Sequence, residues 1–230
     1  MYKQINLDEV FFHSLEPFGE FERSKKSFKK LETILKNGNI FSRQLQLEQN
    51  KNNESMQDVL TKYLDEKYSY NWNGMHHISI CKKCSDENTA ANSKAFEEYV
   101  SGNAGIGLIL SKEVGNLIDS ERTQIMDGEF QIPDKIPLEY MVGIFCGGKS
   151  CNEITNDILQ AKNSGISNDE IKQALPHTLV ENQIENCQKI NILLNNYGYN
   201  NTPIYSTRDG YEIGDVQNLI ANFDTQDLCE

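Results

Sequence analysis

The sequence predicts an α+β fold, and three observations lead to that prediction. Short apolar or alternating segments, which are typical of strands, recur along the chain. Amphipathic segments of helical period lie among them, but not in the regular alternation that βαβ units require. No internal repeat is visible, and 230 residues suit one domain spanning residues 1–230, with a weakly patterned tail from about residue 214.

The predicted strands share a short apolar run that ends at turn residues or polar residues. They are residues 10–14, 76–81, 105–111, 130–134, 140–146 and 202–207, with a short strand or turn at 39–45. Ile78 and Ile80 alternate with Ser79, as in a strand with one buried face. Residues 105–111 are apolar almost throughout and predict a buried strand. Residues 46–55 are polar and predict a mobile loop.

The predicted helices share apolar residues three or four positions apart. They are residues 24–38, 56–68, 90–100, 151–165 and a later long helix with Ile184, Cys187, Leu194 and Tyr197 on one face. In the first of these, Phe28, Leu31 and Leu35 form one apolar face. Ser167 and Glu170 have the spacing of a capping box, which predicts the start of another helix.

Composition narrows the classes of protein that fit. The formal net charge is −12, so the chain repels phosphate backbones and nucleic acid is a poor default partner. No signal peptide is apparent at the start, and no apolar run approaches the roughly 18 residues of a membrane span. Six cysteines in a chain this long do not resemble a secreted disulfide framework. These features predict a soluble cytoplasmic protein with reduced thiols and no membrane partner.

One segment has the letters of a phosphate-binding loop. "GIFCGGKS", residues 143–150, matches G-x-x-x-x-G-K-[ST], in which backbone N–H groups and a lysine hold phosphates. Ile144 and Phe145, however, extend the preceding strand rather than open a loop. Only 80 residues follow Ser150, which is few for the rest of a nucleotide-hydrolysing sheet. A phosphate-loop nucleotide-binding protein is therefore kept only as an alternative.

The C-x-x-C pair at residues 81–84 has the spacing of a metal or redox site. A zinc ion would need two further ligands, such as Cys146 and Cys151, or His76 and His77. A single C-x-x-C with two lysines inside it is a weak signal. We therefore predict no metal site.

Polar residues stand at the ends of several predicted strands. His13 and Ser14 end the first strand, and Ser79 lies on the strand at 76–81. Glu129 follows an Asp-Gly turn at the start of another strand. A strand-end histidine bonded to backbone groups and a solvated glutamate would explain these positions without a site.

Taken in order, the segments resemble a large bacterial family of unknown function. The segments are the strand ending in His13, "LETILKNG", "HHISIC", "AFEEYVSGNAGIGLIL", "GEFQIPDKIPLEYMVGIFCGG" and "TPIYST". That family is similar in turn to mono-ADP-ribosyltransferase-like toxins of the DarT type and to some abortive-infection proteins. The resemblance covers about residues 10–213.

The resemblance implies an ADP-ribosyltransferase-like fold, with two facing antiparallel sheets around a cleft and flanking helices. It implies NAD as substrate and transfer of ADP-ribose to a macromolecular acceptor by a toxin, effector or phage-defence enzyme. An effector would be delivered into the cytosol of a host cell. The sequence pI of about 4.8 favours a protein acceptor over nucleic acid. An antitoxin or an activating partner fits the same resemblance. The alternative from another class is a non-catalytic interaction protein on the same scaffold.

The resemblance also implies catalytic residues. Glu129 matches the late-strand catalytic glutamate, and Glu139 competes with it for that place. Arg43 matches an arginine that would face the pyrophosphate or the acceptor. Asp127 stands where many enzymes of this fold have Glu or Gln. A carboxylate suits this chemistry because breaking the nicotinamide–ribose bond develops positive charge on the sugar.

The remaining implied roles concern NAD binding. His13, with Ser14 beside it, matches the first-strand polar position that bonds the nicotinamide-side ribose. Ser79 matches the hydroxyl of the neighbouring strand near the same ribose. Tyr99 or Tyr140 would stack on the nicotinamide ring.

Overall fold

A computed structural model describes most of the chain in separate ranges. They are residues 3–15, 21–49, 76–84, 93–97, 100, 106–121, 126–146, 151–171, 183–205, 210 and 212. Tyr99, the helix predicted at 56–68 and the tail from residue 214 lie outside these ranges. Everything stated below concerns the described residues.

Eight strands form most of the described sheet structure. They are β1 (Phe11–Ser14), β2 (Asn39–Phe41), β3 (His77–Cys81), β4 (Ile106–Leu110), β5 (Glu129–Pro133), β6 (Lys135–Pro137), β7 (Met141–Cys146) and β8 (Ile204–Tyr205). Six of them form one sheet in the order β5-β3-β1-β4-β7-β8, and β2 pairs with β6 in a second, two-stranded sheet. All neighbours are antiparallel except β7 and β8. The predicted α+β class is confirmed.

The helices pack beside these sheets. They are α1 (Phe21–Asn37), α2 (Arg43–Gln49), the short α3 (Lys94–Phe96), α4 (Cys151–Asn163) and α5 (Gln183–Asn196), with 3-10 turns at Leu7–Glu9, Lys112–Leu117 and Leu138–Tyr140. Gly165 follows α4 at φ 80°, a left-handed conformation that favours glycine. The predicted capping box is confirmed, because Glu170 N–H donates to Ser167 Oγ at 3.3 Å and Ser167 N–H donates to Glu170 Oε2 at 3.0 Å.

Helix α2 corrects the sequence analysis. A strand or turn was expected through residue 45 and a loop from residue 46, but the chain is helical from Arg43 to Gln49. Ser42 caps this helix by accepting the Leu45 N–H at 3.4 Å. Gln44 Nε2 donates to Glu48 Oε1 one turn later at 3.0 Å, which adds support along the helix. These local bonds outweigh the low apolar content of the segment.

The turn after β5 transfers the chain from the large sheet to the small one. Asp134 has φ 59°, a left-handed conformation that aspartate tolerates better than most residues. Its N–H donates to the His76 carbonyl at 2.7 Å, and its carbonyl accepts the Ser42 N–H at 2.7 Å. Both backbone groups of the turn are therefore satisfied, and β6 begins at once beside β2.

Each face of the six-stranded sheet has its own core. Face A, defined by Phe11, His13, Ile80 and Leu108, packs against apolar side chains of α1 and α5. Face B is defined by the residues that alternate with these. Its apolar part includes Phe12, whose ring meets the Phe96 ring at a centroid distance of 5.0 Å, edge to face. Face B also holds the polar residues of the candidate site.

Candidate functional site

Strands β1, β3 and β5 place Ser14, Ser79 and Glu129 on the same face of the sheet. Phe12 pairs with Cys81, and Cys81 pairs with Glu129, so these three positions form one row on face B. Ser14 and Ser79 lie one same-face step further along, because side chains on a strand alternate between the faces. Three of the residues proposed from the sequence therefore come together, although the sequence separates the first from the last by more than a hundred positions.

Gln131 connects two of them and was missed by the sequence analysis. Its Nε2 lies 2.9 Å from Ser79 Oγ and 3.0 Å from Glu129 Oε1. A side-chain amide has two N–H donors, and these two contacts use both. The signal was present in the sequence, because Gln131 is two positions from Glu129 and must share its face in a strand. We call Ser14, Ser79, Gln131 and Glu129 the polar network.

Two atoms of the polar network are buried without a hydrogen-bond partner within the described ranges. They are Glu129 Oε2 and Ser14 Oγ. Glu129 is only 5% exposed, and a buried polar atom without a partner costs roughly 1–3 kcal/mol. Ser79, in contrast, is exposed. The network thus runs from an exposed hydroxyl to a buried carboxylate that can still accept a hydrogen bond.

The electrostatic effect of Glu129 is visible at the neighbouring strand. Burial, and after it the nearby Glu129 charge, raise the pKa of the Cys81 thiol to about 12. Cys81 therefore remains protonated at neutral pH. Its side chain is a small apolar neighbour of the carboxylate rather than a nucleophile.

His13 does not join the polar network. It pairs with Leu108 on face A, so its ring lies on the opposite side of the sheet from the Ser79 hydroxyl. Its Nδ1 lies 2.9 Å from the Ser79 carbonyl oxygen, which can only accept, so Nδ1 carries the proton. Burial lowers the pKa of His13 to about 4, against the raising effect of that bond and with a further lowering by the Lys30 charge. His13 is therefore neutral at pH 7 and supports the strand behind Ser79.

Arg43 also lies away from Glu129. Ser42 N–H bonds to the carbonyl of Asp134, which follows the far end of β5 from Glu129. Five residues of a strand span about 16 Å, so the Arg43 backbone begins about that far along the sheet. The start of α2, and Arg43 with it, is thus separated from Glu129 by about the length of β5.

The competing residues are placed elsewhere. Glu139 lies in the 3-10 turn Leu138–Tyr140 and is exposed, outside the polar network. Tyr140 packs against the core of face A. Glu129 is therefore buried within the polar network, whereas Glu139 is exposed and Tyr140 lies away from face B.

Packing explains the glycine that begins the match to the phosphate-binding-loop pattern at residues 143–150. Residues 143–146 lie inside β7 between two hydrogen-bonded neighbours, and Ile144 N–H donates to the Pro203 carbonyl at 2.9 Å. A side chain at Gly143 would come within 2.8 Å of the Tyr205 ring, so glycine there lets β8 approach. These backbone groups belong to the sheet and cannot cradle a phosphate. Residues 147–150 lie outside the described ranges.

The cysteines considered as zinc ligands are separated. Cys81 faces the core of face B, whereas Cys146 lies in the core of face A beside Cys187. Cys84 donates from its thiol to Asp8 Oδ1 at 3.3 Å. Among the described residues, no group of three His, Cys, Asp or Glu side chains is arranged to hold a metal ion.

The His77 ring contacts the Asp119 carboxylate on the same face as Ser79. Its Nε2 lies 3.1 Å from Asp119 Oδ2. Asp119 in turn is fixed by its N–H, which donates to the Gln131 carbonyl at 2.9 Å. The expectation that His77 shares a face with Ser79 is confirmed by the β3–β5 register, which pairs His77 with Pro133 and Ser79 with Gln131.

No helix in the described part of the chain is both long enough and apolar enough to cross a lipid bilayer. Comparisons of the chain with family models, with curated protein sequences and with solved structures find no match.

Proposed function

We propose that the chain is an NAD-dependent mono-ADP-ribosyltransferase-like enzyme, a toxin, effector or phage-defence protein, with Glu129 as its central carboxylate. The observation that carries this proposal is the buried Glu129 Oε2, which has no hydrogen-bond partner among the described residues. Buried polar atoms of native proteins are nearly always paired, so an unpaired one needs an explanation, and a catalytic role is one of the explanations. The proposal includes the two facing sheets and the cleft that the sequence resemblance implies.

The chemistry of the network fits the ribose next to the nicotinamide. Glu129 Oε2 and Ser14 Oγ can each accept a hydrogen bond, and Ser79, whose oxygen accepts from Gln131, still has its own O–H to donate. A ribose presents adjacent hydroxyl groups that both donate and accept. Breaking the C1′–N bond leaves positive charge on the sugar, and a carboxylate in a buried environment stabilises that charge more than water would.

The other residues proposed from the sequence take revised roles. His13 is a positioning residue, because its Nδ1–H holds the Ser79 carbonyl from behind the sheet. Arg43 begins α2 beyond the far end of β5, so it would meet a more distant part of NAD or the acceptor. Tyr99 is retained as the ring that would stack on nicotinamide.

The proposal extends to partners and location. The formal net charge of −12 favours a protein acceptor over nucleic acid, because nucleic acid would be repelled. Free thiols, as at Cys81, Cys84, Cys146 and Cys187, suit a cytoplasm, where cysteines stay reduced. An antitoxin or activating partner would control such an activity.

The test is NAD binding and turnover in a matched pair of variants. Titration calorimetry would measure NAD binding, and release of nicotinamide would measure turnover. Glu129→Gln is expected to lose at least ~10²-fold in turnover at nearly unchanged thermal stability. Glu139→Gln, an exposed carboxylate ten positions away, is the control and is expected to behave as wild type. Normal turnover in Glu129→Gln would refute the assignment.

A second candidate is a non-catalytic interaction protein on the same scaffold. The observation that favours it is burial, because Glu129 and Gln131 are each only 5% exposed. On this alternative the polar network fixes strand register and meets no ligand. Absence of NAD binding by the wild type, together with a clear drop in the thermal stability of Glu129→Gln, would favour this function.

A further inference from the structure

The side-chain amide of Gln131 can adopt only one orientation in the polar network. Its Nε2 lies 3.0 Å from Glu129 Oε1, and a carboxylate oxygen only accepts hydrogen bonds, so the amide nitrogen has to face Glu129. The second N–H of that nitrogen is then directed to Ser79 Oγ at 2.9 Å. Exchanging the amide oxygen and nitrogen would place two acceptors against each other at Glu129. The amide is therefore a double donor.

The backbone beneath this amide is held on both sides of β5. On the inner side, Gln131 lies opposite Ser79 of β3 in the antiparallel register. On the outer side, its carbonyl accepts the Asp119 N–H at 2.9 Å. Gln131 is only 5% exposed, so its side chain has little room to leave this position. A strand held in this way places a side chain more precisely than a loop does.

Because Gln131 donates both hydrogens, its two neighbours present opposite hydrogen-bonding groups. Glu129 Oε1 is occupied, which leaves Oε2 as a buried acceptor without a partner in the described ranges. Ser79 Oγ accepts from the amide, so its own O–H can donate from an exposed residue. Both bonded oxygens contact one nitrogen and so lie no more than about 6 Å apart. A single sugar ring can reach both groups.

We propose that Gln131 is the positioning residue of this site, which aims Glu129 Oε2 and the Ser79 O–H at the same ribose. This inference rests on the proposed function. A glutamate side chain has three rotatable torsions, and the bond from Gln131 to Oε1 is what restrains them among the described contacts. Without that bond the carboxylate loses its place against the breaking C1′–N bond, whereas the rest of NAD keeps its own contacts. The effect therefore falls on kcat more than on KM.

The experiment measures nicotinamide release from NAD, with water as the acceptor, and obtains kcat and KM separately. Gln131→Met keeps the length of the side chain but has no N–H to donate. Its kcat is expected to fall by about 10²-fold, the usual cost of a misplaced catalytic group, with little change in KM for NAD. Gln160→Met is the matched control, because Gln160 is exposed on α4, and it is expected to behave as wild type.

A double-mutant cycle with Glu129→Gln separates positioning from a general structural role. If Gln131 acts through Glu129, adding Gln131→Met to Glu129→Gln is expected to lower kcat little further, because both changes remove the same placed carboxylate. A residue that only supports β5 would lower kcat by the same factor in both backgrounds. Equal factors would therefore overturn the inference.

Gln131→Glu is a second variant, which retains the size and shape of glutamine. It brings another carboxylate against Glu129 in place of the donor, so kcat is again expected to fall. Full kcat in both Gln131 variants, in a protein whose wild type releases nicotinamide, would overturn this inference alone. Loss of folding in both would also overturn it, because the amide would then hold the sheet rather than the carboxylate. A wild type that neither binds NAD nor releases nicotinamide would overturn the proposed function and this inference with it.

Discussion

His13 should make the folded protein sensitive to mild acid. Its pKa is lowered from 6.5 to about 4, chiefly because burial disfavours the charged ring. Between these values the unfolded chain binds a proton that the folded chain rejects, so stability falls as pH drops from about 6.5 to about 4. At 1.36 kcal/mol per pKa unit, the loss attributable to His13 reaches about 3 kcal/mol at pH 4. Above pH 7 His13 contributes no pH dependence to the free energy of unfolding.

The assay is urea unfolding of the wild type and His13→Asn at several values between pH 4 and pH 7.5. An asparagine amide can donate to the Ser79 carbonyl from nearly the same place as Nδ1 but does not titrate. Other groups titrate equally in both proteins, so the difference between their unfolding free energies isolates His13. That difference is expected to move by about 3 kcal/mol, in favour of the variant, as pH falls from 7 to 4.

His76→Asn provides the control, because His76 is exposed and lies immediately before β3. This variant reports any effect of replacing an imidazole outside the sheet. A difference between His13→Asn and wild type that does not change with pH would show that the His13 ring is readily protonated in the folded state. The assignment of His13 as a neutral ring protonated on Nδ1 would then be wrong, and so would its positioning role behind Ser79.

Three further outcomes can be checked. Gly143→Ala should cost about 1–3 kcal/mol in urea unfolding, because the new methyl group would overlap the Tyr205 ring; an unchanged midpoint would mean that β8 does not pack there. Alkylation at pH 7.5, followed by peptide mapping, should label Cys84 before Cys146, because Cys146 is fully buried and the hydrogen bond with the Cys187 thiol and burial raise its pKa; equal rates would contradict the packing of β7. Glu129→Gln should melt at the same temperature as wild type or higher, since it removes a buried charge; a clear drop would indicate a bonded, structural carboxylate.

Local signals in the sequence were sufficient for the apolar strands. Continuous apolar runs predicted β1, β4 and β7, because central strands are buried on both faces. The partner of each strand could not be inferred, because the pairings join distant segments. β6 was not among the predicted strands for the same reason: residues 135–137 contain a proline, and they form a strand only because β2 lies beside them.

The candidate site was partly predictable. Ser14, Ser79 and Glu129 were identified as strand-end or strand polar residues, and the order β5-β3-β1 brings them to one face. Gln131 was not identified, because a single glutamine in a strand normally faces solvent. Its burial depends on the neighbouring strand and on the backbone of Asp119, which no local pattern reveals. The sequence placed His13 and Ser79 near the same ribose. Only the strand register shows that the His13 ring and the Ser79 hydroxyl lie on opposite faces of the sheet.

The central position of β1 also sets the order of events during synthesis. Phe11 pairs with Leu110, so the partner lies 110 − 11 = 99 residues later in the chain. At about 5–20 residues per second, a ribosome needs roughly 5–20 s to produce that partner. During this interval only β3, through the Phe12–Cys81 pair, can cover one edge of β1, and the edge that β4 will occupy stays open beside Phe11 and Phe12. The nascent chain is therefore a natural client for chaperones that hold exposed apolar segments, and the centre of the sheet closes late in folding.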